Sequence, residues 1–239
     1  MKPLLRPREY VRGLCRLLAR HADPVRAVGM SAYMRDAFAF HGIMSEPRTA
    51  LLREYLDEHG LPSTDDLEDV VIRLWKEPHR EAQYAAVDIL RRLRRNLGPG
   101  HISLAEHCIR HKSWWDTVDV LAPHVAGTLY AAHTEAVRPR IEEWIHADDF
   151  WLNRSAIILQ LGYKDRTDTD LLTRAIRPHL GSREFFLRKA IGWALRQYSY
   201  TDARWVTEFV ASHDLSPLSE REALKALRRT AERAQRARR

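Results

Sequence analysis

Arg80-Glu81-Ala82-Gln83-Tyr84-Ala85-Ala86-Val87-Asp88-Ile89-Leu90 is the stretch on which the reading of this chain turns. A charged or polar start gives way to apolar residues at helical spacing. Two later runs have the same form. They are Trp151-Leu152-Asn153-Arg154-Ser155-Ala156-Ile157-Ile158-Leu159 and Glu184-Phe185-Phe186-Leu187-Arg188-Lys189-Ala190-Ile191-Gly192-Trp193. Aligning Ala86, Ala156 and Ala190 gives separations of 70 and 34 residues, which are two periods and one period of about 35. A further copy is then expected around position 121, within 114–125. Helix pairs at this spacing predict an all-α fold, a HEAT-like helical-repeat solenoid (an α-α superhelix), somewhat compact for the usual ~40–47 residues. A generic helical bundle with chance amphipathicity is the competing reading.

The remaining sequence fits helices placed end to end. Glycines and prolines fall between periodic segments, and period-two alternation is rare, so strands are not expected. Helices are expected over 4–22, 24–40, 46–58, from the Ser63-Thr64-Asp65-Asp66 cap through Lys76, and over 80–96, 101–110 and 114–121. Beyond these they are expected over 134–146, 150–161, 168–180, 182–198, 203–213 and 218–234. The 239 residues are 45% hydrophobic and 30% charged, an ordinary composition with enough apolar material for a sizeable core. No run approaches the ~18 apolar residues of a membrane span. No signal peptide is expected from the start, and two cysteines, Cys15 and Cys108, make no disulfide framework. The expected setting is cytoplasmic, with one domain over 1–230 and a basic tail over 231–239.

The net charge of +7 is unevenly spread. From Arg221 to Arg239 there are eight basic residues against Glu222 and Glu232, which leaves 1–220 with about +1. The tail is either a solvated helix end or an arm that contacts phosphate. Stacked helix pairs make one concave surface, and a long polyanion fits such a groove better than a small metabolite does. Gly-rich phosphate loops, Gly-x-Ser-x-Gly turns and Rossmann fingerprints are absent, which argues against the common ATPases, serine hydrolases and dinucleotide enzymes. His107 and His111 are four apart on one helix face but lack the glutamate of a zinc-protease helix, so no metal site is expected.

Three runs carry the residues of interest. In Lys112-Ser113-Trp114-Trp115-Asp116-Thr117-Val118-Asp119, Trp115 and Asp119 share a helix face. They present an indole and a carboxylate together, or else Trp115 packs in the core and Asp119 is a solvated acid. In Lys189-Ala190-Ile191-Gly192-Trp193-Ala194-Leu195-Arg196-Gln197-Tyr198, Gly192 costs ~1 kcal/mol against alanine and is best understood if something packs against its backbone. Trp193 and Arg196 share a face there. In Trp151-Leu152-Asn153-Arg154, Arg154 is either a phosphate ligand or a surface charge with a packed stem.

Together with Ser31-Ala32-Tyr33-Met34-Arg35, these runs resemble those of the DNA alkylation repair family, the AlkD-like DNA glycosylases. The resemblance spans about 22–227. It implies HEAT-like repeats with a concave surface wrapped around alkylated double-stranded DNA, acting as a monomer, and excision of alkylated purines with no metal or cofactor. It also implies an active site of Trp115, Asp119 and Trp193, with Tyr33, Arg154, Arg196, Lys112 and Arg188 as DNA-binding residues. Relatives in the superfamily share the fold but lack the tryptophans and the aspartate, so their retention here favours an enzyme. A non-catalytic DNA-structure binder on the same fold is the second reading, and a purely structural scaffold is the third.

The chemistry of the residue types agrees with that assignment. A 3-methyladenine or 7-methylguanine already carries positive charge and leaves without a strong general acid. As the N-glycosidic bond breaks, positive charge builds on the deoxyribose, as in glycoside hydrolysis. A carboxylate at Asp119 stabilises that charge and positions water. The faces of Trp115 and Trp193 add cation–π attraction of ~1–2 kcal/mol each when desolvated. No lysine nucleophile is needed, so the product expected is an abasic site.

Overall fold

The computed structural model describes residues 5–237. The first residue of the expected opening helix, and Arg238 and Arg239 of the basic tail, lie outside the described residues. The chain divides into two compact units, Met1–Leu97 and Gly98–Arg239. The N-terminal unit contains α1 (Pro7–Arg20), α2 (Pro24–Tyr33), α3 (Ser45–His59), α4 (Thr64–Lys76) and α5 (Arg80–Leu93). The C-terminal unit contains α6 (Ile102–Arg110), α7 (Trp115–Leu121), α8 (Gly127–Ala132), α9 (Thr134–Ile145) and α10 (Phe150–Ile158). It continues through α11 (Thr169–Ile176), α12 (Phe185–Tyr198), α13 (Ala203–Ser212), α14 (Pro217–Ala223) and α15 (Lys225–Ala237). Among the described residues there is no strand, only an isolated bridge between Ala39 and His79. Among the described residues, no helix is long and apolar enough to cross a membrane.

Local chemistry starts the helices as the sequence leads one to expect. Ser63 accepts from the Asp66 N–H at the head of α4, Asp149 from Trp151 at α10, and Asp202 from Trp205 at α13. Each satisfies an amide that the first helical turn leaves open. Apolar faces then pack α4 on α1 and α5, and α10 on α9 and α12.

The 70-residue periodicity has a physical counterpart in two buried amides. Gln83 Nε2 donates to the carbonyls of Leu74, Trp75 and Glu77, at the end of α4. Asn153 Nδ2 donates to those of Trp144, Ile145 and Ala147, at the end of α9. Both reach back nine, eight and six residues. In each helix pair the second helix therefore caps the orphaned carbonyls of the first. This is an all-α helical-repeat fold, as the aligned runs predict.

Three elements differ from expectation. α2 ends at Tyr33 rather than near Phe40, because Arg35 and Asp36 both take left-handed backbone (φ 57° and 56°). Between Leu121 and Thr134 the sequence reading assigns no helix, yet the chain stays helical through a π-turn at Ala122–Ala126 and then α8. Pro123 has no N–H to donate. The wider turn absorbs the defect, with the Gly127 N–H reaching the Ala122 carbonyl. Finally, the helix expected over 218–234 is broken at Leu224 into α14 and α15.

Candidate active site

The site is built from the loop that precedes α7. Lys112 takes a left-handed φ of 50°, uncommon for a residue with a side chain, and turns the chain after α6. Ser113 Oγ donates back to the Ile109 carbonyl at 2.6 Å. Trp114, extended at the N-cap of α7, sends its ring against Trp151 and Phe186, with ring centres 5.9 and 5.4 Å away. Trp115 opens the helix and Asp119 follows one turn later on the same face. Both are half-buried, while Val118 and Leu121 on the other side are in the core.

Arg154 of α10 holds the carboxylate. Its Nε donates to Asp119 Oδ1 at 2.8 Å and its Nη2 to Oδ2 at 2.7 Å. Nη1 donates to the Phe186 carbonyl at 2.6 Å. The Arg154 side chain is 5% exposed and that of Asp119 19%. Phe186 lies in the first turn of α12, so one guanidinium ties α7 to the helix that carries Trp193. Burial pushes the Asp119 carboxyl above the ordinary aspartate value. The hydrogen bonds and charge of Arg154 pull it back, and Asp116 adds a smaller rise. A planar, two-pronged pairing of this kind fixes the orientation of the carboxylate as well as its charge.

Arg154, expected either as a phosphate ligand or as a surface charge with a packed stem, has a side chain only 5% exposed, and each of its three guanidinium nitrogens donates inside the chain. Arg196 also has an internal partner. Its Nη1 donates to Glu222 Oε2, and Lys189 Nζ donates to Oε1 of the same carboxylate at 3.0 Å. The hydrogen bond from Lys189 is the largest influence on Glu222 and holds it below the ordinary glutamate value. Burial comes next and opposes it, and the charge of Lys189 and the hydrogen bond and charge of Arg196 add to the lowering. Glu222 stands on α14, which packs on α12 at Gly192. A Cβ on Gly192 would meet the Ser219 carbonyl oxygen at 2.8 Å and Glu222 Cβ at 2.5 Å. The close approach suspected from that glycine is real.

Trp193 is half-buried on α12, three residues before Arg196. Lys112 and Arg188 are half-buried, and Arg188 Nε lacks a hydrogen-bond partner among the described residues. Tyr33 is 73% exposed and belongs to the N-terminal unit. His107 and His111 stack with ring centres 4.2 Å apart, and no metal-binding cluster of side chains occurs among the described residues. Sequence reasoning missed Glu222 and the Phe186 carbonyl. The first is a glutamate in an ordinary amphipathic segment, and the second is main chain, so neither leaves a pattern in the residue string.

The sequence pattern of the DNA alkylation repair enzyme family matches residues 14–227. The chain belongs to that family. A solved structure described as a predicted DNA alkylation repair enzyme from Enterococcus faecalis is 35% identical, with a TM-score of 0.80 over 86% of this chain and 96% of that one. No curated protein matches. As a member of the DNA alkylation repair enzyme family, the chain has a role in repair of alkylation damage, with DNA as the implied substrate. Its all-α helical-repeat fold is the family's.

Proposed function

We propose that this protein is a monofunctional DNA glycosylase that hydrolyses the N-glycosidic bond of cationic N3- and N7-alkylpurines in duplex DNA. The observation that carries the reading is the oriented carboxylate of Asp119, gripped by a buried arginine and placed one helical turn from Trp115. An ionised carboxylate accepts at about four lone-pair positions, and the arginine fork uses two. The remaining two are available to water or to charge developing on the deoxyribose.

In the reaction the C1′–N bond lengthens and its electron pair leaves with the alkylpurine, which departs neutral. The sugar becomes oxocarbenium-like. Asp119 stabilises that cation electrostatically and orients the water that adds to C1′. Trp115 and Trp193 exclude bulk water and offer π faces to the cation. Arg154 acts through Asp119 as a positioning residue. Because the leaving group brings its own charge, selectivity follows lability more than pocket shape, so bulky N3 or N7 adducts are accepted and uncharged lesions are refused. The reading does not require the base to be extruded into a deep pocket.

The test uses a duplex bearing one 7-methylguanine, a second bearing a bulky cationic N7 adduct and a third bearing uracil. The expected result is free base from the first two, an alkali-labile abasic site and no strand cleavage. Duplex binding with no release of any base would favour a non-catalytic DNA-structure binder on the same fold. Tight discrimination against the bulky adduct would overturn the lability argument.

A further inference from the structure

The N-terminal unit carries a strongly cationic cleft of about 610 Å³ that the reaction above does not use. One wall is the row Arg8, Arg12 and Arg16 on α1, and the other includes Arg73 and Lys76 near the end of α4. The row follows from sequence spacing, since residues four apart share a helix face. Tyr10, Leu14 and Leu18 are buried on the inward side of α1 and Val11 is buried at the floor of the cleft, which leaves the three arginines exposed. Among the described residues lining the cleft, Glu77 is the one carboxylate. Arg73 is partly neutralised by Asp69, at 2.7 Å. His41 and His79, stacked with ring centres 3.7 Å apart, also line it.

The layout points to a repeating anion rather than a single small one. Successive arginines on α1 are ~6 Å apart along the helix axis, and the three span ~12 Å. A strand of duplex DNA presents one phosphate per ~3.4 Å of axis, so the row covers roughly three or four phosphates. The charges lie along an open cleft and do not converge on one point, as they would around an isolated phosphate. Long, flexible cationic side chains suit phosphates as point charges without reading base sequence.

We propose that Arg8, Arg12 and Arg16, with Arg73 and Lys76, form a second DNA-backbone site, drawn wholly from the N-terminal unit, that grips phosphates of the duplex independently of the Asp119 site. The site adds affinity and salt dependence without lesion specificity. Taking DNA as its ligand rests on the proposed function, so the test reads binding to an undamaged duplex and does not depend on base release.

The affinity for an undamaged duplex is measured against salt concentration for the unaltered protein and for the combined Arg8→Gln, Arg12→Gln and Arg16→Gln variant. Neutralising three phosphate contacts should lower the slope of log K against log salt by roughly two to three units. The combined Arg8→Lys, Arg12→Lys and Arg16→Lys variant should keep the slope, which separates lost charge from lost fold. A combined Arg91→Gln, Arg92→Gln and Arg95→Gln variant removes three exposed charges elsewhere in the same unit and should leave the slope near that of the unaltered protein. An unchanged slope in the first variant, or an equal fall in the last, overturns the proposal. Base release by the unaltered protein is scored separately. Release with an unchanged slope removes the cleft and leaves the glycosylase, whereas a lowered slope without release keeps the cleft and removes the glycosylase.

Discussion

Arg154 meets Asp119 with both prongs of its guanidinium, at 2.8 and 2.7 Å, and spends its third nitrogen on the carbonyl of Phe186. The pair does two things at once. It keeps a half-buried carboxylate in one orientation, and it opposes the burial that raises the carboxyl's pKa. Removing one partner of such a pair leaves an uncompensated charge and costs ~3–5 kcal/mol.

A pH profile reads this balance. The native pKa of Asp119 is raised, so the carboxylate takes up a proton at a higher pH than a free aspartate. Single-turnover base release should therefore fall on the acid side, with its midpoint above 3.8. Arg154→Gln removes the groups that pull the pKa down, so the acid limb should move to still higher pH, with the plateau lowered at least about tenfold, or ~1.4 kcal/mol. An acid limb that stays in place or moves down would remove Arg154 from its positioning role.

The two amide caps predict a stability difference that side-chain volume does not. Asn153→Ala leaves the carbonyls of Trp144, Ile145 and Ala147 without that donor and should cost ~1–3 kcal/mol. Asn153→Asp points a carboxylate at the same oxygens and should cost more, although it is closer in shape. Gln83→Glu should repeat the pattern in the other unit. Chemical denaturation of the four proteins checks the order.

Gly192→Ala sets helix propensity against packing. Propensity alone favours alanine by ~1 kcal/mol. The new Cβ would meet the main-chain carbonyl of Ser219, which cannot rotate away. The expected net result is a loss of ~1–3 kcal/mol, seen as a lower melting temperature. A gain in stability would show that α14 gives way easily.

Glu222 supplies the second pH dependence, with the opposite sign to that of Asp119. Its native pKa is lowered, chiefly by Lys189. The stability it contributes is present above the unfolded glutamate value of 4.5 and is lost as pH falls through the native one. Glu222→Gln should therefore melt lower than the native protein at pH 7, by the ~1 kcal/mol or less typical of partly exposed pairs. The two curves should converge once the pH has fallen through the native pKa, which lies below 4.5. A gap that persists in acid would assign the loss to packing instead.

Much of the architecture was legible in the residue string because it depends on periodicity. Ala86, Ala156 and Ala190 mark the repeated helices α5, α10 and α12, and Asp and Ser residues mark the starts of others such as α4 and α13. The turn at Arg35 and Asp36 was not legible, because neither residue type demands left-handed backbone. The helix through Pro123 was not either, because a proline there reads as a break until the wider turn is seen. At the site, Trp115 and Asp119 could be paired from helical spacing. The Arg154 partnership could not, since it spans 35 residues of sequence and joins separate helices. A flanking of apolar residues left Arg154 two readings, and the carboxylate across the helix interface supplied a third.

The central claim is that the Asp119 carboxylate takes part in the chemical step. The measurement that tests it most directly is single-turnover release of 7-methylguanine from methylated duplex DNA by the native protein and by Asp119→Asn, with duplex affinity measured alongside. The native protein should release the base rapidly, the variant should lose on the order of 10²-fold or more, and DNA binding should persist in both. Equal release by the two proteins, or no release by a folded native protein that binds the duplex, would contradict it.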